Sequence, residues 1–144
     1  MLKKIDHVNV VVSDLGRARA FFGRLGFSET HAGTLEGGWI SDVVGLAGVR
    51  AAYVQLSLGD GGCNLELIAF ENPPSPAAPA LPTPNRIGIR HIAFAVDDIE
   101  ALVSRLNDEG VSFFSEVQTY PATGKKLVYC RGPEGIILEF AQYR

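Results

Sequence analysis

Two histidines and two glutamates occupy matching places in this 144-residue sequence. Ile5-Asp6-His7-Val8-Asn9-Val10-Val11-Val12 returns 84 positions later as Ile89-Arg90-His91-Ile92-Ala93-Phe94-Ala95-Val96, which sets His7 and His91 in register. Gly62-Cys63-Asn64-Leu65-Glu66-Leu67 returns as Gly135-Ile136-Ile137-Leu138-Glu139-Phe140, glutamate on glutamate. Side chains alternate across a strand, so His7 shares a face with Ile5, Asn9 and Val11, while Val8, Val10 and Val12 pack the other. Glu66 shares its face with Asn64 and Ile68, and Glu139 stands between Leu138 and Phe140 in the same way. A carboxylate placed inside an apolar strand is costly unless it is paired or metal-bound. Two imidazoles and two carboxylates from four strands can fill four positions around a divalent ion and leave room for water or substrate oxygens. Nitrogen and oxygen donors without thiolate suit Zn, Ni, Co, Mn or Fe(II). The expected cofactor is one such ion per site, with His7, Glu66, His91 and Glu139 as its ligands.

The elements that must position this quartet are legible as a repeated β-α-β-β-β unit. Residues 4 to 12 are short and rich in Val and Ile, which favours a strand. A helix follows, capped by Ser13 or Asp14, with Leu15, Ala18, Phe21, Phe22 and Leu25 at helical spacing and Gly26 as its stop. In the second copy Asp97 or Asp98 caps, Ile99, Leu102, Val103 and Leu106 form the stripe, and Gly110 stops it. Further strands are expected at about 28 to 34, 51 to 58 and 63 to 70, and at about 112 to 117, 126 to 131 and 136 to 141. The fold class is therefore α+β, a single domain over 1–144 built from modules 1–72 and 85–144. Between them, residues 73–84 hold six prolines in twelve positions and can be neither helix nor inner strand. At roughly 3 Å per residue this linker spans some tens of ångströms. The first module has 59 positions from His7 to Glu66 against 48 from His91 to Glu139. Its extra residues fall near Gly33, Gly37, Gly38, Trp39 and the run Ile40 to Leu46, where a lid or pocket wall is expected.

A net charge of -3 with no basic run lacks the footprint of a nucleic-acid binder. No apolar stretch approaches the roughly 20 residues that span a bilayer, and the start of the chain has no signal-like apolar run, so a cytoplasmic protein is expected. Cys63 and Cys130 have no CxxC spacing and sit in apolar runs, as buried thiols would.

Paired β-α-β-β-β modules with His in the first strand and Glu in the last strand of each resemble the vicinal oxygen chelate superfamily. That group includes glyoxalase I, methylmalonyl-CoA epimerase, extradiol dioxygenases and the fosfomycin- and bleomycin-resistance proteins. The resemblance covers nearly the whole chain and implies a partly open, barrel-like cleft of mixed sheet. It also implies a divalent-metal-dependent lyase or isomerase of the glyoxalase I type. In such enzymes the ion binds two adjacent substrate oxygens and acts as a Lewis acid on a developing enediolate, while a carboxylate moves the proton. By this resemblance Glu139 is the first choice of base and Glu66 its counterpart. The alternatives are an Fe(II) ring-cleaving dioxygenase and a metal-free binding or resistance protein. Extradiol enzymes use two His and one carboxylate and carry an acid-base histidine shortly before the second ligand histidine, and no His lies between Glu66 and His91. Epimerases of the family have an acidic residue just before a Gly-Val in the first module, where this chain reads Leu46-Ala47-Gly48-Val49.

Trp39, Gln55, Tyr120 and Tyr129 are the candidates for lining the cleft. His31 lies outside the repeat and reads as a loop histidine, and Lys125-Lys126 after Gly124 reads as a solvated hairpin tip or, second, as an anion contact. The expected partners are a small molecule with vicinal oxygens and a second copy of the chain, since a family sheet of this size has a face and edges to cover.

Overall fold

The computed structural model describes residues 3–59, 61–76 and 83–144. By its internal contacts the chain divides into two compact units, Met1–Ala77 and Ala78–Arg144. The first runs β1 (His7–Val11), α1 (Leu15–Arg24), β2 (Ser28–Glu36), α2 (Gly38–Val44), β3 (Arg50–Ser57) and β4 (Asn64–Asn72). The second runs β5 (His91–Ala95), α3 (Ile99–Asp108), β6 (Gln118–Thr119), β7 (Lys126–Arg131), a 3-10 turn at Pro133–Gly135 and β8 (Ile137–Gln142). Sheet orders are β1-β4-β3-β2 and β5-β8-β7-β6, so the sequence repeat is also a repeat of topology. In each sheet the first strand lies parallel to the last and the remaining pairs are antiparallel. The class is α+β, as expected, with two mixed four-stranded sheets.

The helices are bounded by the residues the sequence marks. Asp14 caps α1 by accepting from the Arg17 amide at 2.9 Å, and Asp98 caps α3 by accepting from the Ala101 amide at 3.0 Å. Both end in the same double bond. Phe27 N donates to Phe22 O and Gly26 N to Gly23 O, just as Val111 N donates to Leu106 O and Gly110 N to Asn107 O. This closure needs a left-handed residue, and Gly26 (φ 96°) and Gly110 (φ 82°) supply it. Ala18, Phe21 and Phe22 of α1 are buried, with α1 against β4 and β3, and the β3 and β4 residues Val54, Leu56, Leu65 and Leu67 are buried too. Ile99, Val103 and Leu106 of α3 and Val128, Leu138 and Phe140 of the second sheet form the corresponding core.

Two expectations are corrected and one unannounced element is added. The strand expected at 112–117 shrinks to a single bridge, Phe113 to Cys130, followed by bends and the two-residue β6. Side-chain bonds compete with the ladder there, since Ser115 Oγ and Gln118 Nε2 both donate to Glu116 O. Extra length in the first module forms α2, which periodicity does not announce: seven residues long, it buries only Ile40. It is held by Ser41, whose Oγ donates to Gly37 O and accepts from the Val49 amide, and it stops at left-handed Gly45. Third, Cys63 is exposed, because it precedes β4 instead of lying inside it, while Cys130 on β7 is fully buried.

Both cysteines are free thiols. Burial pushes the Cys130 thiol up to about 12, which withholds the reactive thiolate at neutral pH. A disulfide-exchange reagent at pH 8 should therefore label Cys63 rapidly and reach Cys130 only after denaturant is added, a two-stage titration easily read by absorbance.

The proline-rich linker expected over 73–84 falls partly on 77–82, outside the described residues. Among the described residues no helix is long and apolar enough to cross a membrane.

Candidate functional site

In the first unit, parallel pairing sets His7 opposite Asn64 and Asn9 opposite Glu66, so His7, Asn9 and Glu66 project from one face. His7 Nε2 lies 3.7 Å from Glu66 Oε1. Asn9 Nδ2 donates to that same oxygen at 3.1 Å. On the far side of the ring, His7 Nδ1 and Asp6 Oδ2 are 3.0 Å apart. A carboxylate can only accept, so Nδ1 carries a proton and Nε2 is the ring nitrogen that faces Glu66. The same bond from His7 holds the Asp6 carboxyl below its usual value.

The second unit repeats the pair with different neighbours. Ala93 is opposite Glu139, and His91 Nε2 lies 3.1 Å from Glu139 Oε2. The Glu139 side chain is only 7% exposed, against 22% for Glu66. Its other oxygen accepts from Lys125 Nζ at 2.9 Å, and this bond raises the lysine above its ordinary value. Arg90 replaces Asp6 and Ala93 replaces Asn9, so neither of the first pair's supports is duplicated.

Gln55 pairs with Glu66 across β3 and β4, and Tyr129 pairs with Glu139 across β7 and β8. These two cleft candidates thus hold equivalent positions beside the glutamates. The Tyr129 ring also lies 5.1 Å from that of His91, tilted by 40°. Trp39, on α2, and Tyr120, which opens the turn after β6, are both exposed and belong to neither pair's strands. His31 is not a loop residue: it lies on β2 opposite Gln55, completing a row Asn9, Glu66, Gln55, His31 across the first sheet. A bulge between Glu29 and His31 sets that register, which explains why alternation along β2 does not reveal it. Nor are the two lysines an equivalent solvated tip. Lys126 reaches Glu100 on α3 at 3.1 Å, and Lys125, one residue earlier and on the opposite face, reaches Glu139.

The donor chemistry fits a divalent ion. Ligands about 2.1 Å from a metal lie about 3.0 Å apart at a right angle and about 3.4 Å apart at a tetrahedral one. The 3.1 Å separation falls within this range and the 3.7 Å separation lies just beyond it, and in each pair a ring nitrogen meets a carboxylate on one sheet face. Among the described residues, no three or more of His, Cys, Asp and Glu gather so as to hold a metal ion, so each module offers a pair.

Two repeated mixed sheets, each carrying a His/Glu pair on its parallel strands, define a module-duplicated α+β fold. The chain belongs to the Glyoxalase/Bleomycin resistance protein/Dioxygenase superfamily, whose family model matches residues 4–140. A glyoxalase family protein from Bacillus cereus is 32% identical in sequence and superposes with a TM-score of 0.91, covering 99% of this chain and 95% of that one. YwkD of Bacillus subtilis is 29% identical over 141 residues, 96% of each chain. Mitochondrial methylmalonyl-CoA epimerase of Bos taurus is 28% identical over 145 residues, covering 98% of this chain and 75% of that protein.

Proposed function

We propose that the protein is a divalent-metal-dependent lyase or isomerase of the glyoxalase I type, moving a proton next to a carbonyl of a small substrate with vicinal oxygens. The observation that carries this reading is the buried Glu139 carboxylate at 3.1 Å from His91 Nε2, with a second His/Glu pair at the equivalent place on the other sheet. His7, Glu66, His91 and Glu139 would hold the ion, which when bound supplies Lewis acidity toward a substrate carbonyl. Asp6 orients the His7 ring through Nδ1, the arrangement that fixes a metal-ligating imidazole. Glu139 is the proposed proton carrier, the more buried of the two carboxylates and the one held between His91 and Lys125. Glu66, steadied by the neutral Asn9 amide, is the proposed counterpart carboxylate. Gln55 and Tyr129, beside the two glutamates, are the proposed substrate contacts, with Trp39 and Tyr120 as outer ones.

The relatives include an epimerase, and one feature separates this chain from a two-base epimerase of that kind. Ala47 stands where the extra acid is expected before Gly48-Val49, and it is exposed on the segment between α2 and β3. A ring-cleaving dioxygenase is the second reading, favoured by Tyr129, which lies ten residues before Glu139 and beside the His91 ring and so resembles the active-site tyrosine of extradiol enzymes. We also propose a cytoplasmic homodimer, with the exposed Trp39, Val43, Val44 and Leu46 on and after α2 as apolar surface for a partner copy to cover.

Elemental analysis of untagged protein beside Glu66→Ala tests the reading. The parent should carry about one divalent ion per chain, and the variant should lose it or hold it at least about tenfold more weakly, the scale on which a lost ligand or its support acts. An iron-loaded variant that keeps its metal would move the assignment to the dioxygenase. A parent that stays empty when metal is offered would point to a binding protein.

A further inference from the structure

The two glutamates differ in what holds them, and the difference is one of charge. Glu66 Oε1 accepts from a neutral amide, Asn9 Nδ2, at 3.1 Å, whereas Glu139 Oε1 accepts from an ammonium, Lys125 Nζ, at 2.9 Å. The sequence builds this asymmetry twice. Ala93 removes the amide from the second sheet, and counting back from the residue paired with each glutamate, Ala51 stands in the first sheet where Lys125 stands in the second. Lys125 is also placed with care. Tyr120 N donates to Lys125 O at 2.8 Å and Gly124 N donates to Tyr120 O at 2.8 Å, which closes the turn before β7. That turn needs left-handed Gly124 (φ 72°), where any Cβ would collide with the Arg144 guanidinium. Lys125 immediately precedes β7 and alternates in step with Leu127 and Tyr129, the face paired with Glu139, so the lysine reaches along the sheet to the carboxylate. Its ammonium passes 5.2 Å from the Tyr143 ring centre on the way.

A cation already on Glu139 is a rival for any metal ion that takes the same carboxylate. We propose that Lys125 is a built-in competitor which a divalent ion must displace from Glu139, and that its displaced ammonium then reads an anionic group on the substrate, selecting vicinal-oxygen compounds that are carboxylates or phosphates. This rests on Glu139 being a ligand, as proposed above. The short tether of the turn keeps the ammonium on the face it now occupies, beside Glu139 and Tyr129, once its carboxylate partner is taken. A second positive charge beside a divalent ion is tolerated when an anion lies between them, and a dianionic chelator satisfies both.

The test uses Mn2+ and oxalate on full-length protein, with Lys125→Met and Lys125→Gln. The Met variant keeps the apolar stem; the Gln variant keeps a neutral donor, as Asn9 does for Glu66, and so guards against loss of folding. By calorimetry both should bind Mn2+ about tenfold more tightly than the parent, because no cation has to leave. The Mn2+-loaded variants should bind oxalate about tenfold more weakly, because a charge-assisted partner is gone. Lys125→Arg should stay near the parent in both measurements. Unchanged or weaker Mn2+ binding by the neutral variants, or undiminished oxalate binding, would overturn the role given to Lys125 while leaving the four-ligand reading intact. A parent that binds no Mn2+ would overturn both.

Discussion

Glu139→Gln should lower turnover by about 10³-fold, within the 10² to 10⁴ range of general acid-base contributions. The substitution keeps the shape of the side chain and removes the basic oxygen, so the fold should survive. The assay is turnover of a 2-oxoaldehyde hemithioacetal or an acyl-CoA ester, whichever the parent converts, at saturating metal and with metal content measured on the same sample. Glu66→Gln is the informative comparison. Its carboxylate accepts from the Asn9 amide and its side chain is about three times as exposed as that of Glu139. The loss there should fall more on metal retention than on the catalytic step. Full turnover by a metal-loaded Glu139→Gln protein would remove Glu139 from the proton-carrying role and leave it as a ligand at most.

That the pairs were visible in sequence at all follows from duplication. Neither His7 nor Glu66 says much alone, but His91 and Glu139 in the same register show which faces of which strands matter, and parallel pairing of first and last strands then brings each His to its Glu. Helix ends were legible for a local reason: Asp14, Asp98, Gly26 and Gly110 act within a few residues of where they stand. What the sequence withheld depends on contacts between distant segments. Lys125 looks like the tip of a hairpin until a turn folds it back over fourteen residues onto Glu139. His31 joins the Gln55 row only because a bulge shifts β2 by a residue. The strand expected at 112–117 is broken by Ser115 and Gln118, whose side chains bond to a local carbonyl that the ladder would otherwise use. Asn9 was within reach of alternation, being two residues from His7 on the same face, but its bond to Glu66 needed the β1 to β4 register.

Phe22→Ala should cost about 3 to 5 kcal/mol of stability, as large-to-small changes at fully buried aromatic sites do. Phe22 is completely buried, meets the edges of Phe21 and Phe27 at 5.4 and 5.7 Å between ring centres, and lends its carbonyl to the Phe27 amide that closes α1. The repeat supplies an internal comparison: 84 positions on, Leu106 is equally buried and lends its carbonyl to Val111 in the same way. Leu106→Ala removes fewer atoms and no ring contacts, so about 2 to 4 kcal/mol is expected there. Urea titrations followed by circular dichroism should show both midpoints falling, with Phe22→Ala the more affected. These losses are a large part of a typical domain's stability of about 5 to 15 kcal/mol. The consequence for the site is mechanical. Helix α1 packs on β4, the strand that carries Glu66, so the ring at position 22 backs the surface from which one of the two pairs projects. A Phe22→Ala protein with an unchanged midpoint would mean that the helix closes over the gap without loss and that this packing does not set the strand's position.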